Sequence, residues 1–383
     1  MDISITNVYL DHGAGARGAA AGPLALHEAG IVATLESHGH RVASQHDILQ
    51  DQAASVGSEP RVRYLDAVAS ACARLADTIE LSLRADRFPL ILGGDHSQSI
   101  GSIGGIARHF RRVGKELGVL WVDAHADMNT PATTPSGNVH GMPLAVLLGY
   151  GRDEFIRIGG HSPALDPRHV VLFGVRDMDT GEENLVKESG VRVFMAGEIR
   201  ERGVDVCLME ALELLCQASA GVHLSFDVDA LDPSLAPGVT TAVPHGLACN
   251  EALAICKALA RTGRLTSVEI TELNPDRDFE SRTIELAVRL IESALAVRPQ
   301  IRSQLHGRAS PSRRALAGKH RASIVARSLH REMLAQGFEP DEMMNVASNL
   351  LDELIAHVKE SSDSNGITKN QSAFTANSST EAA

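Results

Sequence analysis

Aromatic residues are sparse in this chain: Phe, Trp and Tyr make up 3% of 383 residues, with a single Trp. Since 44% of the residues are still hydrophobic, a sizeable core is expected, built from aliphatic side chains. Cysteine is scarce as well. The five present (Cys72, Cys207, Cys216, Cys249, Cys256) are odd in number and lack C-x-x-C spacing, so buried free thiols in a reducing compartment are expected. Basic charge is in the minority, and the net charge of −12 argues against general nucleic-acid binding. No apolar run reaches the ~18 residues of a membrane-spanning helix. The opening MDISITNVYL lacks the basic region and long apolar run of a signal peptide. A soluble, cytoplasmic protein is expected, with neither membrane nor nucleic acid as partner.

What the chain does have is a set of apolar runs that end in acids or histidine. Residues 117–122 read as a buried strand, and Asp123, His125 and Asp127 follow at every second position. On an extended chain that period places all three side chains on one face. The run 88–92 ends in Gly93-Gly94-Asp95-His96-Ser97, the run 222–226 in Asp227 and Asp229, and the run 265–270 leads to Glu272. In open α/β sheets the ligand crevice lies at the carboxyl ends of strands, so these ends point to one site. Carboxylates and imidazoles that converge there are costly unless a positive charge sits between them, and a divalent metal is the simplest such charge. Six candidate ligands, His96, Asp123, His125, Asp127, Asp227 and Asp229, are too many for one tetrahedral ion. They suit two metals about 3.5–4 Å apart.

Further strands are expected over 3–10, 41–44, 170–175 and 191–195, a loop over 49–60, and helices over 23–38, 61–85, 204–218, 250–261 and 281–297. This alternation predicts an α/β fold, a three-layer α/β/α sandwich with a mostly parallel sheet. The C-terminal part differs in character. Residues 302–331 hold eight Lys and Arg with no acid, and Met343, Val346, Leu350, Leu354 and Val358 form one helical stripe. The expected organisation is a catalytic domain over 1–300, a basic and amphipathic helical extension over 301–360, and a disordered Ser/Thr/Asn-rich tail over 361–383.

Four motifs, G-G-D-H-S at 93–97, D-A-H-A-D-M-N-T-P at 123–131, S-G-N-V-H-G at 136–141 and S-F-D-V-D at 225–229, resemble those of the arginases. These are dimanganese enzymes that hydrolyse L-arginine to L-ornithine and urea, and the match runs over about 3–298. The resemblance implies two Mn2+ per subunit, which carboxylate-rich ligation suits. His96 and Asp127 would bind one ion, His125 and Asp229 the other, with Asp123 and Asp227 bridging. A bridging hydroxide would attack the guanidinium carbon, Asp127 would handle its proton, Glu272 would orient the guanidinium, and His140 would relay protons to solvent. Asn129, Thr134, Ser136 and Asn138 suit the substrate α-carboxylate, while Asp179 with Glu182 suits the ammonium. Arg176 is expected to hold the 176–182 turn.

Two departures from the arginase pattern stand out. Ala21 replaces an acid, and the 240–246 loop lacks glycine at 240 and 245, though Thr241, a further substrate-binding candidate, remains. A homo-oligomer, trimeric or hexameric, is implied by the same resemblance. The alternatives are another ureohydrolase of agmatinase or guanidinobutyrase type, a metal-dependent deacetylase on a related fold, and a non-catalytic metal-stabilised regulator whose basic tail binds a partner. The 133–141 loop, the number of ligands, and the presence of His140 and Glu272 favour the arginase assignment over these.

Overall fold

The computed structural model describes residues 1–51 and 62–296, all within one unit, Met1–Gln300. Most of the expected 49–60 loop, the 301–360 extension and the 361–383 tail lie outside the described residues. Strands β1 (Asp2–Tyr9), β2 (Arg41–Leu49), β3 (Phe88–Leu92), β4 (Leu117–Val122), β5 (Val170–Val175), β6 (Arg192–Met195), β7 (Gly221–Asp227) and β8 (Leu265–Thr271) form one sheet. Its order is β2-β1-β3-β8-β7-β4-β5-β6, and every pairing is parallel. Among the described strands the sheet is therefore wholly parallel, as expected where helical crossovers link the strands.

Helices cover both faces of the sheet. Leu26, Leu35, Leu208, Ile255 and Leu290 belong to one aliphatic core. Val68, Leu75, Ile103 and Leu144 belong to the other. Strands β4, β5 and β7 are buried along their whole length; β4 and β5 accordingly read as near-continuous apolar runs, whereas β7 alternates apolar residues with the buried polar His223, Ser225 and Asp227. The helix Ser99–Arg111 comes unusually close to the helix Leu65–Arg84. A Cβ on Gly101 would lie 2.4 Å from the Cys72 carbonyl oxygen, and one on Gly105 would lie 2.5 Å from that of Ala76.

Two expectations need correction. The helix expected over 23–38 is two helices, Gly22–Glu28 and Ile31–Ser37, separated where Gly30 takes φ 82°. Strand β2 runs to Leu49 instead of stopping at residue 44, paired with β1 as far as Tyr9. It is an edge strand whose extent is set by backbone pairing, and its polar residues carry no burial signal. No described helix is long and apolar enough to cross a membrane.

The sheet order explains the convergence of the motifs. Strands β3, β8, β7 and β4 are consecutive neighbours. Their carboxyl ends therefore set residues 93–97, 272, 227–229 and 123–127 side by side.

Candidate metal centre and active site

Three of these strand ends use one local device. Asp95 Oδ1 accepts the Ser97 amide (3.0 Å), Asp123 Oδ1 the His125 amide (2.8 Å) and Asp227 Oδ1 the Asp229 amide (2.8 Å). An aspartate that bonds the backbone two residues on makes a tight turn. The expectation that 123–127 stays extended is thus corrected, because β4 ends at Val122 and the chain bends after it. Asp127 then takes φ 52°, and its carbonyl is held by the amides of Leu144 (3.1 Å) and Ala145 (3.3 Å). Turn and left-handed residue, rather than strand pleat, aim the three side chains. A left-handed conformation at a non-glycine residue is strained and persists where surrounding structure enforces it.

The six predicted ligands come together. His96 Nδ1 lies 3.0 Å from Asp123 Oδ2, 3.1 Å from Asp127 Oδ2 and 3.1 Å from Asp227 Oδ2. All four side chains are buried. Yet His96 Nδ1 and Asp127 Oδ2 have no well-directed hydrogen bond. Three carboxylate oxygens around one ring nitrogen form a ligand cage rather than a hydrogen-bonding arrangement. The other ring nitrogen, Nε2, is 2.9 Å from Ser225 Oγ. The ring stacks on Trp121 at 4.2 Å, whose Nε1 donates to Asp123 Oδ2 (3.0 Å). On the other side, His125 Nδ1 lies 3.4 Å from Asp123 Oδ1 and 3.2 Å from Asp229 Oδ2.

Two donor groups result, His96/Asp123/Asp227 and Asp123/His125/Asp229, each with its donor atoms within 4.8 Å of one another. Asp123 belongs to both, as a bridging ligand must. Asp227, also expected to bridge, groups with His96 and Asp123 but not with His125 and Asp229.

The electrostatics fit cations. Burial, and then the charge of Asp123, pushes the Asp127 carboxyl up to about 6. Burial and then Asp229 raise Asp227 well above the usual carboxylate range. Burial opposes ionisation of Asp123, but hydrogen bonds from His125 and His96 outweigh it and hold its pKa low. Both imidazoles are raised by the carboxylates against the effect of burial. So much buried negative charge needs protons or metal ions to balance it.

Glu272 and His140 form a pair beside this cluster. Glu272 also takes a left-handed φ of 62°, with its amide on the Gly94 carbonyl (2.8 Å). Its Oε1 accepts the His96 amide (2.8 Å) and lies 3.0 Å from His140 Nδ1, while its buried Oε2 has no partner. Burial would lower the His140 pKa, but Glu272 overrides it and holds the imidazole at about 9. Asp95, not singled out from the sequence although it stands inside the G-G-D-H-S motif, supports His140 indirectly. Its Oδ2 accepts the amides of Gly13 (2.8 Å) and Ala14 (3.1 Å), and the Gly13 carbonyl accepts the His140 amide (3.1 Å).

The predicted substrate contacts fall into two groups. Asn129, buried, donates to Asp179 Oδ2 (2.8 Å). Asp179 caps the helix Thr180–Ser189, and Glu182 returns its carboxylate to the Asp179 amide (3.2 Å) and to the Met128 amide (3.1 Å). Burial, with Asp127 nearby, pushes Glu182 up to about 7. Thr134, Ser136 and Asn138 share a separate turn. Thr134 Oγ1 accepts the amides of Ser136 and Gly137, and Ser136 Oγ accepts that of Asn138. Thr133 links the groups by donating to Asn129 Oδ1 (2.9 Å).

Thr241 donates to the candidate ligand Asp229 at Oδ2 (2.8 Å), so its hydroxyl has only its acceptor side free for another partner. Arg176 holds the 240–246 loop rather than its own turn. Its guanidinium donates to the carbonyls of Asp229 (2.7 Å), Val243 (2.9 Å), Pro244 (3.1 Å) and Ala230 (3.2 Å). Within the loop, His245 takes φ 66°, a conformation that suits the glycine missing there. Asp232 Oδ2 accepts the amides of His245 (2.9 Å) and Gly246 (3.2 Å).

Comparison with known proteins agrees with this geometry. The family model described as "Arginase family" matches residues 1–297. The arginase of Bacillus caldovelox is 42% identical over 293 residues, which cover 76% of this chain and 97% of that protein. The structure of that enzyme superposes with a TM-score of 0.74 at 41% identity, covering 78% of this chain and 99% of the other. An Entamoeba histolytica arginase solved in complex with L-ornithine gives a TM-score of 0.71 at 29% identity, covering 77% of this chain and 99% of the other.

Proposed function

The chain belongs to the arginase family, and from that premise we propose that it hydrolyses L-arginine to L-ornithine and urea at a centre for two Mn2+ ions. One observation carries the assignment: Asp123 is shared between two donor groups, and His96 Nδ1 and Asp127 Oδ2 are buried there without hydrogen bonds. His96 and Asp127 would hold one ion and His125 and Asp229 the other, with Asp123 and Asp227 between them. A donor set of four carboxylates and two imidazoles suits Mn(II). When bound, the ions supply the positive charge that makes water nucleophilic at neutral pH.

The chain's own residues do the rest. Asp127, beside the site of attack, takes a proton from the attacking water and delivers it to the departing amine. Glu272 Oε2 is the buried anionic acceptor for the substrate guanidinium. His140, with its side chain 15% exposed, carries protons between the site and solvent. Asn129, Thr134, Ser136 and Asn138 recognise the α-carboxylate. Asp179 and Glu182 recognise the α-ammonium, helped by the acceptor side of Thr241.

Agmatine lacks the carboxylate and would leave those donors unpaired, at about 1–3 kcal/mol. Side-by-side kcat/KM values test this, with L-arginine expected to exceed agmatine by at least about tenfold. Equal values would overturn the substrate assignment. We also infer a cytoplasmic homo-oligomer with its catalytic domain over 1–300 and an extension over 301–383 that supports assembly. The family match ending at residue 297 supports that division. Unchanged assembly and kinetics after deletion of 308–383 would refute the role given to the extension.

A further inference from the structure

Below the metal centre, the face of β7 and β8 that carries Asp227 continues inward as polar side chains: His223 and Ser225 on β7, Ser267 and Glu269 on β8. Alternate positions on a strand share a face, and His223 pairs in register with Ser267, Ser225 with Glu269. All four are 0% exposed. Glu269 has no part in the chemistry above, yet its carboxylate is densely occupied. It accepts Ser99 Oγ (2.7 Å), Ser102 Oγ (2.5 Å) and Gln98 Nε2 (3.4 Å), and His223 Nε2 lies 3.2 Å away. Gln98 in turn accepts the Gly94 amide at Oε1 (3.2 Å), and His223 Nδ1 lies 2.8 Å from Ser267 Oγ.

The three donors to Glu269 have one thing in common. They lie within the six residues that follow His96, at the turn and first helical turn that carry that ligand. Burial acts to raise the Glu269 pKa, but His223 and Ser102 hold it at about 2, so the carboxylate stays charged. A buried charge contributes little stability relative to an apolar residue of the same volume. Its presence here is better explained by geometry. A second face of the same helix is held by the close approach of Gly101 and Gly105 to the helix Leu65–Arg84. The first turns of the helix are thus held on two faces.

We propose that Glu269 is a positioning residue for the metal centre: by holding Gln98, Ser99 and Ser102 it sets where His96 presents Nδ1 to Asp123, Asp127 and Asp227. Ser225, on the neighbouring strand, sets the rotation of the imidazole. This rests on the assignment of His96 as a metal ligand. Polar partners one step removed from a metal typically shift its affinity by about 10–100-fold. The expected effect is selective, because His125 stands on a different strand end and shares none of these contacts.

The test is Mn(II) binding by the full chain, followed by equilibrium dialysis and by the electron paramagnetic resonance signal of a coupled ion pair. Wild type is expected to take up two ions with a coupled signal. Glu269→Gln should keep one at wild-type affinity, weaken the other about 10–100-fold, and regain the coupled signal at high Mn(II). Combined with His125→Asn it should weaken the one remaining ion. Combined with His96→Asn it should leave the remaining ion unchanged. Ser102→Ala, which removes one donor with little change in packing, should shift the same ion by a smaller factor and covers the case in which the Glu269 variant does not fold. Equal weakening of both ions, or a lowered thermal midpoint with unaltered binding of both, would reduce Glu269 to a stability role and overturn the proposal. Wild type that binds fewer than two ions would overturn the dinuclear assignment beneath it.

Discussion

The strand ends that carry the candidate metal ligands and the polar loop over 129–138 are held in place by opposite means. Asp123, Asp227 and Asp95 sit at the ends of central strands, buried, each locked by its own two-residue turn. Asp127 and Glu272 are forced into left-handed backbone conformations by hydrogen bonds to neighbouring segments. Thr134, Ser136 and Asn138, by contrast, are partly or fully exposed and tied chiefly by each other's amides and hydroxyls. The first arrangement is over-determined, so a change to it should be all-or-none. The second consists of local bonds among neighbouring residues, so changes there should be graded. On the proposed function, chemistry is assigned to the rigid part and selectivity to the adjustable one.

The largest effect should come from the residue common to both donor groups. Asp123→Ala is expected to abolish binding of both ions and lower turnover by about 10⁴-fold or more, read by metal content and urea release. Retention of one ion at wild-type affinity would show that the two groups are not coupled through Asp123. Next is His140→Asn, expected to lower kcat by about 10²-fold or more with both ions retained.

The same substitution gives a pH test in metal-free protein. The His140 pKa is raised from 6.5 to about 9. Its stabilising contribution is therefore complete below pH 6.5 and lost as pH rises through 9. Glu272 is lowered from 4.5, which means its share is present above that value and is lost in stronger acid. The difference in thermal midpoint between wild type and His140→Asn should be widest between pH 4.5 and 6.5 and should shrink toward pH 9 and above. A gap that widens with rising pH would contradict the pairing.

Smaller and graded changes are expected in the loop region. Asn129→Ala should reduce the preference for L-arginine over agmatine by about 5–150-fold, equivalent to about 1–3 kcal/mol, while two ions remain bound. Loss of an ion would mean that the loop and the metal cluster are not separable. The smallest effect is expected at His245. Glycine would relieve a left-handed residue, worth about 1–2 kcal/mol, but would loosen the unfolded chain by about 0.4–1 kcal/mol. The net gain for His245→Gly should lie between about 0 and about 1.6 kcal/mol, read as a modest rise in thermal midpoint; a fall would show that the His245 side chain contributes to holding the loop.

The same contrast governs what could be read from the sequence. Apolar runs that end in Asp or His marked β3, β4 and β7 and, with Glu272, the site itself, because burial and catalysis leave one-dimensional signatures there. The left-handed backbone of Asp127 left none, since D-x-H-x-D is equally compatible with an extended strand. Glu269, Ser225, Ser99 and Ser102 were also silent. A serine within an apolar strand or helix is uninformative until its partner, more than a hundred residues away, is known. The extent of β2 was missed because pairing with β1, not side-chain pattern, sets it. Arg176 was recognised as a clamp, but its grip on the carbonyls of residues 229–231 and 243–244 belongs to the fold alone.

The most direct test of the central claim is urea release from L-arginine by the full chain, stripped of metal and then reloaded with Mn(II). The structure predicts no turnover by the stripped protein and full turnover once two ions per chain are bound. Two bound ions with no urea released, or undiminished release from metal-free protein, would contradict it.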